Sequence, residues 1–166
     1  MPRRPFRVGR SLTGLGLFAT HEIPKRTRIA GYRGPLLSTE EAIRRETRGN
    51  RYLLEINSRW TIDGTSRRNV ARYANHSCNP NAELYQRGLQ MFVRTLRRIK
   101  PGEEITYHYG MDYLRNVIGI SNCRCGRCRR RKARKQREAR SRAKRLEARA
   151  RNKRTKMRAS KRRARR

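Results

Sequence analysis

The chain has 166 residues, of which 46 are Lys or Arg and only 12 are Asp or Glu, so its formal net charge is +34. No apolar run approaches the roughly 20 residues that cross a bilayer, and the basic segment MPRRPFRVGR is followed only by the short apolar run LGLFA, which argues against a membrane span and a secretory signal. Three of the four cysteines lie within residues 123–128, which is not the pattern of a secreted disulfide framework, so we expect an intracellular protein.

The first half of the chain contains two predicted strands and a predicted helix. GLGLFATHEI and RIAGYRG alternate apolar and small residues around the turn residues Pro24 and Lys25. Ser38 and Glu41 fit a capping box, in which Ser38 is the N-cap and Glu41 reaches back to its amide. The helix that follows should have about nine residues and end near Gly49, with Glu41 and Arg45 one turn apart and able to pair.

Short strands are also predicted in the second half. VARYA is a candidate single helical turn, and Lys100-Pro101-Gly102 is a strong turn signal. Many short strands with one short helix predict a mostly β domain. The strands expected here are RYLLEI, RWTID, MFVRTL and EEITYHY.

The four cysteines form a candidate zinc site. Cys123, Cys125 and Cys128 make a C-x-C-x-x-C motif, and Cys78 is the other cysteine. Three clustered soft ligands and a distant fourth suit tetrahedral zinc, with thiolates at about 2.3 Å. The alternative is thiols that are free or partly buried. With zinc, residues 123–128 would be held against the loop NHSCNPN at residues 75–81.

Tyrosines form the second group of candidate functional residues. Taken singly, each of Tyr32, Tyr52, Tyr107 and Tyr109 is more often a half-buried core residue than a catalyst. Tyr107 and Tyr109 alternate in a predicted strand, so both hydroxyls can point to one face. A group of phenols that each need a hydrogen-bond partner indicates a narrow channel with polar groups at its tip.

The charge is concentrated at the end of the chain. Residues 129–166 contain 22 Lys or Arg and 2 Asp or Glu, with one Leu, one Met and no aromatic residue. Such a segment cannot bury enough apolar area to offset the entropy lost on ordering, so we predict a disordered or weakly helical tail. The rest of the chain is long enough for one modest core. We therefore place a boundary near Arg129.

Five motifs in order resemble the SET-domain protein lysine methyltransferases with a post-SET zinc motif. The motifs are GLGLFA (14–19), YRG (32–34), RYANHSCNPN (72–81), GEEITYHYG (102–110) and CRCGRC (123–128). The resemblance implies a mostly β, β-clip-like fold with a pseudoknot, in which the NHSC segment threads beneath a loop. We therefore expect a SET domain at residues 1–114 and a post-SET zinc segment at 115–128, followed by the basic tail that the composition indicates at 129–166.

The resemblance also implies methyl transfer from S-adenosylmethionine to a lysine ε-nitrogen. Tyr109 would be the catalytic tyrosine, Tyr32 would line the lysine channel, and Tyr107 would limit the product state, with monomethylation as the hypothesis. The residues implied for the cofactor are Gly14, Leu15, Gly16, Tyr52, Arg72, Asn75 and His76, of which Asn75 and His76 would act largely through backbone groups. The residues implied for Zn²⁺ are Cys78, Cys123, Cys125 and Cys128.

Two features differ from the family pattern. His108 stands where the family usually has an acidic residue before the catalytic tyrosine, and we assign no role to it. The C-x-C-x-x-C spacing is shorter than that of the usual post-SET motif.

The basic tail has two interpretations, a solvated tail or an arm that binds the phosphates of DNA or RNA through residues 129–166. We favour nucleic acid, because the charge exceeds what solubility requires. A strongly basic enzyme repels basic substrates unless nucleic acid bridges them, so we expect a histone-like or ribosomal substrate that is bound to DNA or RNA. Lys135 lies in ARKQ, which is similar to methylated histone-tail sequence, so automethylation is a further hypothesis.

Three function classes compete. The first is an active lysine methyltransferase, the second a catalytically silent SET-fold zinc protein that binds nucleic acid through its tail, and the third a basic packaging protein. The intact Tyr109, Asn75 and His76 favour the enzyme. We expect it in the nucleus or on chromosomes of a eukaryote, or in the cytoplasm or nucleoid of a bacterium or archaeon. The target lysine and the oligomeric state are not encoded in any recognisable pattern.

Overall fold

The computed structural model describes residues 4–163, with the side chains of residues 155 and 158–163 left undescribed. The chain divides into two units, a body that ends at Arg127 and a helical unit that begins at Cys128. This division lies close to the boundary predicted near Arg129. The last three residues of the predicted tail lie outside the described residues.

The described part of the body is mostly β, as the sequence predicted. It contains one helix of nine residues, α1 (Thr39–Thr47), and short helical turns at Val70–Tyr73, Met111–Tyr113 (α2), Leu114–Ile118 and Ile120–Asn122. The strands are β1 (Phe6–Ser11), β2 (Gly14–Ala19), β3 (Arg28–Tyr32), β4 (Leu36–Ser38), β5 (Leu53–Glu55), β6 (Trp60–Asp63), β7 (Asn75–His76), β8 (Ala82–Arg87), β9 (Gln90–Thr95) and β10 (Glu104–Tyr107).

The strands form three small sheets, with the orders β1-β2-β10-β7, β3-β9-β8 and β4-β6-β5. Strands β7 and β10 pair in parallel, with Asn75 opposite Thr106 and His76 opposite Tyr107. This pair places the NHSC segment beside the strand that carries Tyr107. The threading of that segment beneath a loop stays a prediction.

The hydrophobic core contains buried side chains of β2, β9 and β10 and of the segments that contain Ile23 and Ile99. Leu17, Ile23, Val93, Ile99 and Ile105 are at most 1% exposed, and Ile23 and Ile99 form an isolated β-bridge. Each such side chain contributes about 1.5–3 kcal/mol on burial. The core therefore fixes β2 and β10, the two strands that carry residues of the candidate site.

Helix α1 begins where the sequence predicted. The Ser38 hydroxyl accepts a hydrogen bond from the Glu41 amide at 3.3 Å, which makes Ser38 the N-cap. The Glu41 carboxylate does not complete the capping box in the described contacts. It pairs instead with Arg44 and with the predicted partner Arg45, each at 2.8 Å. These charge-assisted bonds are stronger than a bond to a neutral amide.

Asp63 joins α1 to β6. Its carboxylate accepts hydrogen bonds from Arg45 Nη1 at 2.5 Å and from Asn50 Nδ2 at 3.2 Å, and the amide and hydroxyl of Thr65 also donate to it. The side chain of Asp63 is 9% exposed. Although burial opposes ionisation, the hydrogen bonds from Thr65, Arg45 and Asn50 lower the pKa of Asp63 to about 2.

The helical unit is more regular than the weakly helical tail that the sequence predicted. Helix α3 (Gly126–Arg163) runs without interruption through the described tail. Ala, Arg, Lys, Gln and Glu dominate its composition, and all have high helix propensity. The described side chains from residue 129 onward are exposed, including Leu146 at 56%. Among the described residues, no helix combines the length and apolar character needed to cross a bilayer.

Candidate active site and metal site

A cavity of about 430 Å³ lies in the body beside β2 and β10. Its wall contains most of the predicted channel and cofactor residues. Six tyrosines line it, namely Tyr32, Tyr52, Tyr73, Tyr107, Tyr109 and Tyr113. Gly14, Leu15, Arg72 and Asn75 complete the predicted set of lining residues. Motifs that are far apart in sequence therefore meet at one site.

Two of the phenols are fixed by main-chain acceptors. Tyr32 donates its hydroxyl hydrogen to the carbonyl of Tyr52 at 3.0 Å, and Tyr109 donates to the carbonyl of Ala74 at 2.9 Å. The rings of Tyr107 and Tyr109 lie 4.8 Å apart between centroids. The strand ends at Tyr107, so this contact arises from the turn after β10 and not from the alternation that the sequence predicted.

Burial keeps these phenols protonated. It raises the pKa of Tyr32, Tyr107 and Tyr109 above the usual value of 10.0, and neighbouring phenols add to the effect for Tyr107 and Tyr109. Arg72 acts in the opposite direction on Tyr32. At neutral pH the cavity therefore presents neutral hydroxyls to a ligand.

The start of β2 forms one edge of the cavity. Gly14 has a φ of +113°, a conformation that favours glycine, and beyond its chain neighbours no described atom lies within 4 Å of where its Cβ would be. Gly16 is placed differently, because a Cβ there would lie 2.5 Å from Glu104 Oε1 and 3.1 Å from Asn75 Nδ2. Gly14 and Leu15 thus face the cavity, whereas Gly16 allows Asn75 and Glu104 to approach β2.

Asn75 connects the NHSC segment to β2. Its side-chain amide donates to the carbonyl of Leu15 at 3.0 Å and to Glu104 Oε1 at 2.7 Å. This side chain therefore holds the edge of the cavity in place.

Arg72 carries an unsatisfied donor at the cavity wall. Its guanidinium carbon lies 3.6 Å from the centre of the Tyr52 ring, and Nη1 donates to the Thr65 carbonyl. Its Nε is buried and has no hydrogen-bond partner among the described residues. A buried donor without a partner is costly. This donor, with the exposed apolar Leu15 and the surrounding rings, fits a ligand that is part apolar and part oxygen-rich, as S-adenosylmethionine is.

A second cavity of about 660 Å³ adjoins the first. Both are lined by Leu53, Leu54, Tyr109 and Tyr113. The second cavity also contains three acidic side chains, Glu46, Glu55 and Asp112. Tyr109 can thus be approached from two openings.

The side chain of His76 turns away from the first cavity. Its Nδ1 accepts a hydrogen bond from the Tyr109 amide at 3.3 Å, and its Nε2 lies 3.3 Å from Cys78 Sγ. Burial, followed by the nearby His108, lowers the pKa of His76 to about 4, so the ring is neutral at pH 7. The resemblance implied that His76 holds the cofactor largely through its main chain, so the direction of the ring leaves that prediction open; His76 is not among the residues that line the first cavity.

The four cysteines meet in space. The sulfurs of Cys78, Cys123, Cys125 and Cys128 all lie within 4.8 Å of one another, and those of Cys78 and Cys123 are 3.8 Å apart. Four thiolates at about 2.3 Å from a tetrahedral zinc ion are roughly 3.8 Å apart. The Cys78 amide also donates to Cys125 Sγ at 3.4 Å. This donor set and spacing fit a zinc ion.

Comparison with known proteins agrees with this geometry. The SET domain family model matches residues 14–110, which contain the four predicted tyrosines and the NHSC segment. The chain belongs to the SET-domain family. SET methyltransferases use S-adenosylmethionine, and the cysteines after residue 110 are compatible with a post-SET zinc motif.

Similar SET-domain proteins are named as histone-lysine N-methyltransferases. The chain is 38% identical over 124 residues to histone-lysine N-methyltransferase 2D of Homo sapiens. It is 30% identical over 134 residues to mes-4 of Caenorhabditis elegans and 34% identical over 138 residues to Set2 of Drosophila melanogaster. These alignments cover 69%, 68% and 74% of this chain but only 2%, 15% and 6% of the respective relatives.

The sequence did not single out Tyr113 as a site residue of this SET domain. Tyr113 lies on α2, and its ring meets that of Tyr109 edge-on at 5.4 Å. The sequence does contain a tyrosine four residues after Tyr109, but it does not predict the turn at Gly110 that brings the two rings together.

His108 lies beside His76, with ring centroids 4.9 Å apart, and its Nδ1 accepts a hydrogen bond from the Gly110 amide.

Proposed function

We propose that this chain is an S-adenosylmethionine-dependent protein-lysine N-methyltransferase that acts on a basic protein. The observation that carries the proposal is the pair of cavities that share Tyr109. One contains Arg72 Nε, a donor without a partner in the described part of the chain, and suits the cofactor, and the other has acidic residues and suits a basic peptide. The names of the relatives support the same activity.

The lysine of a peptide in the second cavity would reach the cofactor beside Tyr109, where the tyrosines of the first cavity prepare it for attack. A lysine amine must be neutral to act as a nucleophile, and its usual pKa is about 10.4. The buried rings of Tyr32, Tyr107 and Tyr109 exclude water and disfavour the ammonium form. S-adenosylmethionine, when bound, supplies the methyl group. The chain therefore contributes to catalysis by aligning the lysine amine with the methyl group and by removing water from the amine.

Tyr109 is the residue that orients the reacting groups. Its hydrogen is committed to the Ala74 carbonyl, which leaves its oxygen free to accept N–H or C–H contacts. Because burial raises its pKa, its phenolate is not available as a general base at neutral pH. Tyr32 acts in the same way through its bond to the Tyr52 carbonyl.

Tyr107 limits the product to monomethyl-lysine. It is buried against Tyr109, where its hydroxyl can bind the lysine nitrogen or a water molecule and occupy the space of a further methyl group.

The cofactor site is formed by Gly14, Leu15, Tyr52, Arg72 and the main chain around Asn75. Arg72 Nε provides a donor for a cofactor oxygen, and Tyr52 holds the guanidinium by stacking. Gly16 and the His76 ring act indirectly, by allowing β2 and the NHSC segment to approach and by supporting the neighbouring turn.

The cysteine cluster binds a structural zinc ion. The four thiolates would supply all the ligands of a structural zinc ion and would leave no position for a water molecule or substrate. The ion would join residues 123–128 to the NHSC segment, which contains Cys78.

The basic helix binds DNA or RNA. Its exposed Lys and Arg residues are spaced along a continuous helix, and binding phosphate would remove their mutual repulsion. Nucleic acid would also bring a basic substrate to a basic enzyme. We therefore propose a histone-like or ribosomal substrate, with a nuclear or chromosomal location in a eukaryote.

Transfer of a labelled methyl group tests the proposal. The full chain is incubated with labelled S-adenosylmethionine and with histones or ribosomal proteins, free or bound to nucleic acid. We expect label on lysine, with more transfer to the nucleic-acid-bound form. No transfer to any of these proteins, together with salt-sensitive DNA binding, would favour the catalytically silent zinc protein.

A further inference from the structure

We propose that His76 is a positioning residue whose ring couples the cysteine cluster to the main chain at Tyr109. This inference rests on the proposed zinc site and on the proposed role of Tyr109. It assigns the histidine side chain to the metal side of the NHSC segment, whereas the cofactor side is served by Asn75 and the cavity wall.

The two ring nitrogens have different partners, which fixes the tautomer. Nδ1 accepts from the Tyr109 amide at 3.3 Å, so it carries no hydrogen. A neutral imidazole then carries its hydrogen on Nε2, and Nε2 lies 3.3 Å from Cys78 Sγ. The ring therefore donates to the sulfur while it accepts from the amide.

Metal binding strengthens this connection. A metal-bound thiolate carries more negative charge than a thiol and is a better acceptor for Nε2–H. Donors to ligand atoms also hold those ligands in position. With zinc bound, the ring is held at Cys78, and its Nδ1 in turn holds the amide of Tyr109.

Further contacts hold His76 close to the main chain at Tyr107 and Tyr109. His76 lies opposite Tyr107 in the parallel pair of β7 and β10, and Ser77 donates its amide hydrogen to the Tyr107 carbonyl at 3.0 Å. The ring of His76 also meets that of Tyr109 edge-on at 5.5 Å. A displacement of the His76 ring would therefore also displace the turn that positions the Tyr109 phenol.

Two substitutions of His76 separate its contact with the Tyr109 amide from its contact with Cys78 Sγ. His76→Asn keeps an acceptor near the Nδ1 position but is too short to donate to Cys78 Sγ. His76→Gln can reach the sulfur with its amide. His108→Asn is the matched control, because His108 adjoins the same ring and its Nδ1 contacts the Gly110 amide.

The first readout is the affinity for Zn²⁺, measured on the full chain by competition with a coloured chelator. We expect His76→Asn to bind Zn²⁺ about tenfold or more weakly than the wild type, the size of effect seen for partners of metal ligands. His76→Gln should lie between the two, and His108→Asn should match the wild type.

The second readout is the Tyr109 amide resonance in protein labelled with ¹⁵N-tyrosine, which gives seven tyrosine signals. Tyr109 is assigned from the signal lost in Tyr109→Phe. We expect this resonance to shift when Zn²⁺ is added to metal-free wild type and His108→Asn, and to shift much less in His76→Asn. The other tyrosine signals report that each variant is folded.

Wild-type affinity and a wild-type Tyr109 shift in His76→Asn would overturn the inference and leave the zinc site and the methyltransferase proposal intact. A wild type that binds no Zn²⁺ would overturn both the zinc site and the inference. The methyl-transfer assay decides the enzymatic proposal independently of either result.

Discussion

The phenols at the candidate site have distinct surroundings, although all are tyrosines. Tyr32 and Tyr109 each donate to a main-chain carbonyl, while Tyr107 is packed beside Tyr109. Removal of the Tyr107 hydroxyl should therefore enlarge the space around the lysine nitrogen and disturb the cavity less than removal of either of the other two hydroxyls.

Tyr107→Phe should shift the product from monomethyl-lysine towards dimethyl- or trimethyl-lysine. The ring is retained, but the hydroxyl that occupies the space of a further methyl group is lost. Mass spectrometry of the modified substrate measures the product distribution. A mutant with an unchanged distribution would disprove the role of Tyr107.

Arg72→Lys should weaken cofactor binding by about tenfold. Lysine keeps the charge but loses the planar group that stacks on Tyr52 and the Nε donor, a loss of about 1–2 kcal/mol. Calorimetric titration with S-adenosylmethionine measures the affinity.

The matched control for this change is Arg7→Lys. Arg7 also lies over an aromatic ring, that of Phe18 at 5.5 Å, but it is not among the residues that line the cavity. An equal loss of affinity in both variants would argue against a specific contact by Arg72.

At the scale of elements, Asp63 is the main polar link between α1 and β6, and it predicts a pH dependence. The folded-state pKa of about 2 is below the usual value of 3.8, so the stabilisation is complete above about pH 4 and is lost as the pH falls through 2. We expect the free energy of unfolding of the wild type to fall by about 2 kcal/mol more than that of Asp63→Asn over this interval.

Urea denaturation at several pH values checks this prediction. The difference between wild type and Asp63→Asn removes the contribution of the other carboxyl groups, which the two proteins share. Glu40→Gln is the control, because Glu40 forms an ion pair on the same helix but is 81% exposed. Parallel pH curves for wild type and Asp63→Asn would contradict the assigned role.

Local signals were sufficient for several elements. Ser38 and the residues after it determine where α1 starts, and the apolar alternation in β2, β9 and β10 reflects their packing on the core. Strands β1, β4 and β8 were not predicted. They are short or partly polar, and they are strands because they pair with β2, β6 and β9 in register, which no local pattern encodes.

The family motifs in the sequence were enough to name residues of the candidate site but not to predict the direction of every side chain. Gly14, Arg72, Asn75 and Tyr109, which the resemblance named, line one cavity, and their roles stay predictions. The direction of the His76 ring was not predictable, because it depends on the register of β7 against β10.

At the scale of the whole molecule, charge is the dominant property. Ten of the 12 acidic residues lie before residue 129, whereas nearly half of the Lys and Arg residues follow it. Electrostatic attraction to phosphate should therefore depend mainly on the helical unit.

Replacement of Arg140, Arg142, Lys144 and Arg145 by Gln should reduce the salt dependence of nucleic-acid binding. Four fewer phosphate contacts would lower the slope of log K against log salt by about 3 to 4. Gln retains high helix propensity, so α3 should persist. Fluorescence anisotropy with duplex DNA at several salt concentrations measures the slope, and an unchanged slope would place the binding surface elsewhere.

We propose that lysine methylation occurs at the cavity that Tyr109 lines together with Tyr32 and Tyr107. The most direct measurement is the rate of methyl transfer by wild type, Tyr109→Phe and the control Tyr85→Phe, whose ring stacks on Phe92 and does not line the cavity. We predict methylated lysine with wild type and Tyr85→Phe and a loss of at least a hundredfold with Tyr109→Phe, as for removal of one oriented transition-state contact. Equal rates for wild type and Tyr109→Phe, or no methylated lysine with the wild type, would contradict the claim.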